Sequence, residues 1–298
     1  MDSHVSVLKE EVVDILQIRP GGHYADLTFG EGGHTQAILS VPDTHVFALD
    51  RDWDTIQRNI PVSGPLTLKH GRFSQLEQLA KGMLFDGILM DLGPSTRQLL
   101  TAARGFSFSQ EGPLDMRMDQ REEKTLAHYL SQMNTEELAE ALATNTDIKA
   151  SRKLAKKILD AFQRNQISST ADLAATMRSG KHGGRHPATT LFLGLRMLVN
   201  DELREIEVGI PTALNHLRPG GRLAVISFHS TEDRLVKNLF KRFAGFCVCQ
   251  QIICGCPRTE EVRIISKKPI SAGLQELRHN PRARSAKLRC VEKHRSTA

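Results

Sequence analysis

A short apolar segment that runs directly into a glycine-rich turn limits the folds that are open to this chain. Residues 23–29 (HYADLTF) have the composition of a buried strand, residues 30–33 (GEGG) form the turn, and HTQAILSV continues as a helix. Further strand-like runs follow at THVFALD, PLTLKHGRF and FDGILMDL. Strands that alternate with helices pair in parallel and are joined by right-handed crossovers. The first part of the chain therefore predicts a doubly wound, Rossmann-like α/β sheet.

From about Ser109 to Glu205 the strand patterns stop, and almost every pattern is helical. The motifs NTEE at 134–137 and SSTAD at 168–172 are typical of helix N-caps. After this region GRLAVISF resumes the strand pattern, an amphipathic helix follows, and EVRIISKKPI and AKLRCVEK predict late strands. We therefore predict an α/β core at 1–108 and 206–298 that is interrupted by a helical insertion at 109–205.

The composition is that of an ordinary globular enzyme. The chain has 298 residues, a net charge of +6 and 40% hydrophobic residues. The charge fits a slightly basic enzyme as well as a nucleic-acid-binding protein. No stretch approaches the ~20 apolar residues of a membrane helix. The N-terminal segment has acids where a signal peptide has its apolar core, so we expect a cytoplasmic protein without membrane contact. A homo-oligomer is possible.

The glycine turn predicts a ligand site, because backbone N–H groups at a helix start attract polar ligands. A dinucleotide-binding turn has the pattern G-x-G-x-x-G. This turn lacks the third glycine and carries Glu31 where phosphate charges would lie. It favours a ligand with a sulfonium and an ammonium group, such as S-adenosylmethionine. Asp50, at the end of the second strand, can accept the ribose hydroxyls of a nucleoside cofactor. A tight turn formed for steric reasons alone is the alternative.

Asp91 ends the fourth strand, and ligands of open α/β sheets bind beyond the carboxyl ends of strands. The lone pair of an exocyclic amine on cytosine is delocalised into the ring. An acceptor that holds the amine hydrogens turns this lone pair toward a methyl donor and stabilises the developing positive charge. Asp91 is therefore the candidate for orienting an amine, with Ser95 as a lesser candidate. On spacing alone, Asp91 fits equally well as a cap of the following turn.

A series of motifs resembles one known family. They are TFGEGGHT at 28–35, LDRD at 49–52, MDLG at 90–93, RGFSF at 104–108, GPLDMRMD at 112–119, VNDEL at 199–203, PGGRL at 219–223, ISFHS at 226–230 and NPRARSAKLR at 280–289. In order and over nearly the whole chain, they are similar to the bacterial 16S ribosomal RNA (cytosine-N4)-methyltransferase family. The loop at 93–100 departs from the family pattern, which leaves the choice of target open.

The resemblance implies S-adenosylmethionine as the cofactor and the helical insertion as the substrate-binding part. The implied cofactor contacts are Gly32, Gly33, His34, Asp50, Phe73 (beside the adenine), Asp91 and Gln98. The implied reaction is methylation of a cytosine N4 amine in the decoding centre of 16S rRNA, with the small (30S) ribosomal subunit as partner. A methyltransferase of another RNA or of DNA, and a catalytically silent assembly factor, are the alternatives.

Candidate RNA contacts are Arg117, Arg196, His229, Arg282 and Arg284. Basic residues cluster at 152–157 with 178–185, and again at 278–295, where they could neutralise phosphates or form a solvated face. Arg117 could pair with a carboxylate instead. His229 fits equally well as a hydrogen-bonded structural histidine. Arg196 and Asn200 could reach a cleft or join the insertion to the core.

The cysteines give a weaker signal. Cys247, Cys249, Cys254 and Cys256 could hold zinc, but the spacing within each pair is one residue where zinc knuckles have two to four. A thiol-bearing hairpin is the alternative, and we assign no metal ligand. The odd total of five cysteines does not fit a secreted disulfide framework and favours a reducing, intracellular setting.

Overall fold

The computed structural model describes residues 6–58, 60–177, 186–249, 255 and 260–295. The strands are β1 His23–Asp26, β2 His45–Asp50, β3 Leu66–His70, β4 Phe85–Asp91, β5 Leu217–Ser227, β6 Val262–Ile264 and β7 Lys287–Lys293. The helices are α1 Lys9–Leu16, α2 Gly33–Leu39, α3 Trp53–Gln57, α4 Leu76–Ala80, α5 Thr96–Leu100, α6 Leu126–Gln132, α7 Thr135–Asn145, α8 Ser151–Gln163, α9 Thr170–Ala175, α10 Ala188–Asn200, α11 Glu202–Asn215, α12 Ser230–Phe243 and α13 Leu274–His279.

The chain forms two compact units. The sheet unit comprises Met1–Gly93 and Arg204–Ala298, and the helical unit comprises Pro94–Leu203. The sequence patterns placed this boundary at 109, whereas the helical unit already begins at Pro94. The segment before 109 belongs to it because the Arg104 guanidinium donates to the carbonyl oxygens of Arg117 and Met118, at 3.0 and 2.7 Å. Such loop contacts leave no periodic pattern in the sequence.

The sheet has the strand order β3-β2-β1-β4-β5-β7-β6. β1 to β5 pair in parallel, as the alternation of strands and helices predicts. β7 lies between β5 and β6 and is antiparallel to both. The strand-like run of β7 does not reveal this reversal, since orientation depends on the neighbouring strand. The doubly wound, Rossmann-like α/β sheet is therefore confirmed, with one reversed strand near its edge.

Helices cover both faces of this sheet because the central strands are apolar on both sides. On β4, Ile88 and Met90 join the cluster that includes α11 and α12, whereas Leu89, between them, joins the cluster with α1. All three side chains are fully buried. This twofold alternation of side chains between opposite faces is the strand geometry itself. Strands buried on both faces are typical of parallel sheets with crossover helices.

The helical unit has its own core, formed by α6 to α10. Both predicted N-caps are confirmed. Asn134 forms a capping box with Glu137, and Ser169 forms one with Asp172. In the part of the chain that the structure describes, no helix combines the length and the apolar character needed to cross a bilayer.

Candidate active site

Three aspartates lie where β1, β2 and β4 end. Asp26 pairs in register with Ala48 of β2 and with Leu89 of β4. Asp50 and Asp91 each lie two residues beyond these partners, at the last position of their strands. Parallel strands end at the same edge of a sheet, which is where ligands of such folds bind. The candidate site of the sheet unit is built at this edge.

The glycine turn between β1 and α2 brings the backbone close to other parts of the sheet unit. Gly32 has a φ of 74°, in the left-handed region that favours glycine. A Cβ on Gly33 would lie 2.1 Å from the Ser6 hydroxyl oxygen. Glu31 forms hydrogen bonds of 2.7 and 3.1 Å with the Arg58 guanidinium. Because Arg58 compensates its charge, Glu31 discriminates less between cationic and anionic ligands than the sequence suggests.

Asp50 is anchored by backbone amides. Its Oδ2 accepts from the Gly30 N–H at 2.7 Å, and its Oδ1 accepts from the Asp52 N–H at 2.7 Å. Each carboxylate oxygen can accept a second hydrogen bond, so both remain able to receive a hydroxyl. Burial of the carboxyl group raises the pKa of Asp50 to about 7, against the two amide hydrogen bonds, which act to lower it.

His34 and Asp91 form the centre of the site. His34 is buried, and its Nε2 lies 3.5 Å from Oδ2 of Asp91. The Asp91 backbone N–H donates to the Thr28 hydroxyl at 2.7 Å. Within the described part of the chain, both ring nitrogens of His34 and Oδ1 of Asp91 are buried and lack hydrogen-bond partners. Buried polar atoms are normally paired, so these atoms indicate a polar ligand.

Asp26 is a site residue that the sequence analysis did not select. It is fully buried, and burial raises its pKa, against the neighbouring His34 charge and the hydrogen bonds from Thr35 and Thr28. Thr35 Oγ1 donates to it at 2.7 Å, and the Thr28 N–H donates at 3.1 Å. An acid within an apolar strand pattern, four positions before the glycine turn begins, is the sequence signal that could have found it.

Phe73 follows β3 and packs against α11. A Cβ on Gly209 of α11 would lie 2.3 Å from the Phe73 ring, so only glycine leaves this space. The residues beside Phe73 are held by Glu205, whose Oε1 accepts from Ser74 Oγ at 3.0 Å and from Arg72 at 3.3 Å. Glu205 Oε2 is buried and has no hydrogen-bond partner among the described residues. Glu205 is a second polar residue that the sequence analysis missed.

Ser95 and Gln98 belong to the helical unit, where they cap α5. The Gln98 N–H donates to Ser95 Oγ at 3.3 Å, and the Ser95 N–H donates to Gln98 Oε1 at 2.9 Å. Asp91 takes no part in this capping box. The roles of Ser95 and Gln98 at the site stay predictions.

The structure gives Arg117, Arg196 and His229 partners of their own. Arg117 forms bonds of 2.7 Å to both carboxylate oxygens of Asp115, and Arg196 pairs with both oxygens of Glu202. His229 caps α12, and its Nε2 lies 2.8 Å from Oε1 of Glu232.

The contacts of Arg117 and His229 match the structural alternatives for these two residues. Arg196 pairs within the helical unit, and the substrate roles of all three residues stay predictions. Within the helical unit, the Asn200 side chain accepts from the Met118 N–H and donates to the Met116 carbonyl, each at 2.7 Å. It thus fastens the loop of the GPLDMRMD motif to α10.

Arg282 and Arg284 are exposed, on a 3₁₀ helix at Pro281–Ser285. Neither forms an ion pair with another described residue, so both remain available to an anion. The basic residues 178–185 lie outside the described residues. Cys254 and Cys256 also lie outside them, and the described residues contain no group of three or more side chains able to hold a metal ion.

The fold and the site define a class. The class is that of Rossmann-like, S-adenosylmethionine-dependent methyltransferases. Its features here are a seven-stranded sheet with one reversed strand, a glycine turn after β1, and acids at the ends of β1, β2 and β4. The chain belongs to the MraW methylase family, which it matches over residues 1–294.

Two similar curated proteins are both named ribosomal RNA small subunit methyltransferase H. The protein from Desulfovibrio desulfuricans is 43% identical, over 97% of this chain and 94% of its own length. The protein from Bradyrhizobium diazoefficiens is 40% identical, over 97% of this chain and 91% of its own.

Proposed function

We propose that this methyltransferase modifies the N4 amine of a cytosine in the decoding centre of 16S rRNA, within the small ribosomal subunit. The observation that carries the proposal is the buried Oδ1 of Asp91, at the end of β4 and without a hydrogen-bond partner among the described residues. A carboxylate oxygen in this position can accept a hydrogen from an exocyclic amine. The names of the relatives support ribosomal RNA as the class of substrate.

The residues of the sheet unit fit S-adenosylmethionine. Asp50 retains acceptor capacity for the ribose hydroxyls, Phe73 offers an aromatic face for the adenine, and Gly32 and Gly33 keep the turn free of side chains. The bound cofactor supplies a methyl group on a positively charged sulfur. The carboxylate of Asp91 favours positive charge nearby, which a pyrophosphate would not supply.

Asp91 contributes to methyl transfer by orientation and by charge. By accepting an amine hydrogen, its carboxylate turns the nitrogen lone pair away from the base and toward the donor. As the nitrogen gains positive charge, the same carboxylate stabilises it. One amine proton is then lost to water. N4 needs no covalent activation of the base, so methyl transfer requires no cysteine nucleophile.

RNA binding is proposed for the helical unit and for the exposed arginines. The role of the helical unit follows from the family resemblance and from its basic residues. Arg282 and Arg284 are the best candidates for phosphate contacts, because they are exposed and form no ion pair with a described residue. Affinity falls as salt concentration rises. Each phosphate contact should make the slope of log affinity against log salt concentration more negative by about 0.9 for a duplex, and by less for a single strand.

Nucleotide mapping tests the proposal. Small subunits from a strain that lacks the gene are incubated with the purified protein and labelled S-adenosylmethionine, and the modified nucleotide is mapped. We expect N4-methylcytosine in the decoding centre with the wild type and none with Asp91→Asn. Asp43→Asn is the matched control, since Asp43 is exposed and precedes β2 at its opposite end.

Each alternative gives a distinct result in this assay. A methyl group at another nucleotide, or in DNA, would replace the proposed target. Absence of transfer together with absence of S-adenosylmethionine binding would favour the silent assembly factor. Asp91→Asn with the turnover of the wild type would remove Asp91 from the mechanism.

A further inference from the structure

Two buried ionisable groups lie near the Asp91 carboxylate. Asp26 ends β1 and has no exposed surface, and His34 in the first turn of α2 is 5% exposed. His34 Nε2 lies 3.5 Å from Oδ2 of Asp91. The amine-orienting role proposed for Asp91 does not require either buried group, and burying ionisable groups is costly unless they are paired.

Hydrogen bonds tie Asp26 to the same segments that hold Asp91. Asp26 accepts from the Thr35 hydroxyl on α2 and from the Thr28 N–H. The Thr28 hydroxyl in turn accepts from the Asp91 backbone N–H at 2.7 Å. Thr28 therefore connects the Asp26 carboxylate to the backbone of Asp91, while the His34 imidazole lies 3.5 Å from the Asp91 carboxylate.

The surroundings of His34 favour its charged form. Burial acts to lower the pKa of His34, but Asp91 and Asp26 together raise it above its ordinary value. Lys9 of α1 opposes them weakly. A protonated imidazole whose Nε2 lies 3.5 Å from Asp91 Oδ2 can donate to that carboxylate. It cannot accept the amine proton, because it already carries one on each nitrogen.

We propose that His34 is a positioning residue that directs the Asp91 carboxylate at the amine, with Asp26 as the second acid that acts on its imidazole. This rests on the proposed function, in which Asp91 accepts the amine hydrogen. Without the imidazolium, Asp91 loses its interior charge partner and its carboxylate is free to rotate. Asp26 acts one step further back, because it is the second negative charge on His34 and orients the turn through Thr28 and Thr35.

A titration by NMR tests the electrostatic part without any RNA. The protein is labelled with ¹⁵N-histidine, and the ring signals of His34 are followed with pH in the wild type and in Asp26→Asn. We expect His34 to titrate above the ordinary value of about 6.5, and at least about one pH unit lower once Asp26 is neutral. A wild-type midpoint at or below the ordinary value would overturn the proposal, as would an unchanged midpoint in Asp26→Asn.

Kinetics test the positioning part, with a matched histidine as control. His216 is also buried, its Nε2 also lies 3.5 Å from a carboxylate oxygen, of Glu77, and it precedes β5 at the opposite edge of the sheet. We expect His34→Gln to lower kcat about 100-fold, whereas loss of a cofactor contact alone would raise the KM for S-adenosylmethionine and leave kcat unchanged. His216→Gln should retain the wild-type kcat.

The pH profile separates positioning from a purely structural role. In the wild type, kcat should fall on the alkaline side as His34 loses its proton. Asp26→Asn should move this fall to lower pH, and His34→Gln should remove it. A His34→Gln enzyme with kcat within threefold of the wild type, or with a loss in KM alone, contradicts the proposal. If the mapped nucleotide is not a cytosine, the proposed function fails, but the NMR titration still tests the interaction of His34 with the two acids.

Discussion

Lowering the pH from 8 to 6 should weaken the binding of S-adenosylhomocysteine, the product form of the cofactor, by about tenfold through Asp50. Burial raises the pKa of this carboxyl group to about 7. Above that pH the group is ionised and accepts hydroxyl hydrogens strongly. Below it the group is protonated, and the proton occupies one of the positions that the ribose hydroxyls need.

The magnitude follows from this pKa. With a midpoint near pH 7, about nine-tenths of the Asp50 carboxyl groups are ionised at pH 8 and about one-tenth at pH 6. If the ionised form binds the ribose, the affinity changes by the same ratio, which corresponds to about 1.3 kcal/mol. The stability of the unliganded protein moves in the opposite direction. Because the folded pKa is raised, this contribution to the unfolding free energy is present at low pH and lost as the pH rises through about 7.

Calorimetric titration at pH 6, 7 and 8 measures the effect. The wild type is compared with Asp50→Asn, which has no titrating carboxyl group at this position, and with Asp43→Asn as the matched control. Asp50→Asn should bind about 10- to 100-fold more weakly at pH 8, since charge-assisted hydrogen bonds contribute about 1.5–3 kcal/mol. It should also lose most of the pH dependence. Equal binding by the wild type at all three pH values, or the full pH dependence in Asp50→Asn, would refute a role for the Asp50 charge in binding.

Three further predictions follow from packing and ion pairs. Gly209→Ala should displace the Phe73 ring, 2.3 Å from the added Cβ, and weaken S-adenosylhomocysteine binding by about 1 kcal/mol; unchanged affinity would separate Phe73 from the cofactor. Asp233→Asn should destabilise the sheet unit by about 3 kcal/mol at neutral pH, because it leaves the buried Arg289 guanidinium unpaired. Burial acts to raise the pKa of Asp233, but Arg289 lowers it overall. The difference in unfolding free energy between variant and wild type, measured in urea, should therefore shrink as the pH falls below about 4. Leu142→Ala should lower the unfolding free energy of the helical unit by about 3 kcal/mol. A loss below about 1 kcal/mol would show that the neighbouring side chains move to fill the cavity.

Local patterns predicted most of the sheet unit. The runs HYADLTF, THVFALD and FDGILMDL became β1, β2 and β4 because each is apolar on both faces, and such strands are stable only inside a sheet covered by helices. The N-caps at Asn134 and Ser169 were equally readable, since a cap is a contact between residues three apart in sequence. The antiparallel orientation of β7 could not be predicted from its sequence, because the neighbours of a strand decide its orientation.

For the candidate site, the sequence pointed to residues but not to their partners. Asp50 and Asp91 were found because each ends an apolar run. Asp26 was missed, although it also ends a strand, because the apolar pattern continues past it to Phe29 and hides the end of the strand. Glu31 was read as a free charge, and Arg58, 27 positions away, compensates it.

Sequence alone determined which strands exist, where the glycine turn lies and which acids end the strands, because all of these depend on residues within a few positions of one another. Tertiary structure alone decided which charges meet. His34 interacts electrostatically with both Asp26 and Asp91, and these two aspartates are 65 positions apart in the chain. Only the pairing of β1 with β4 brings the two aspartates close together. Burial then strengthens their interaction with the imidazole because little water screens it.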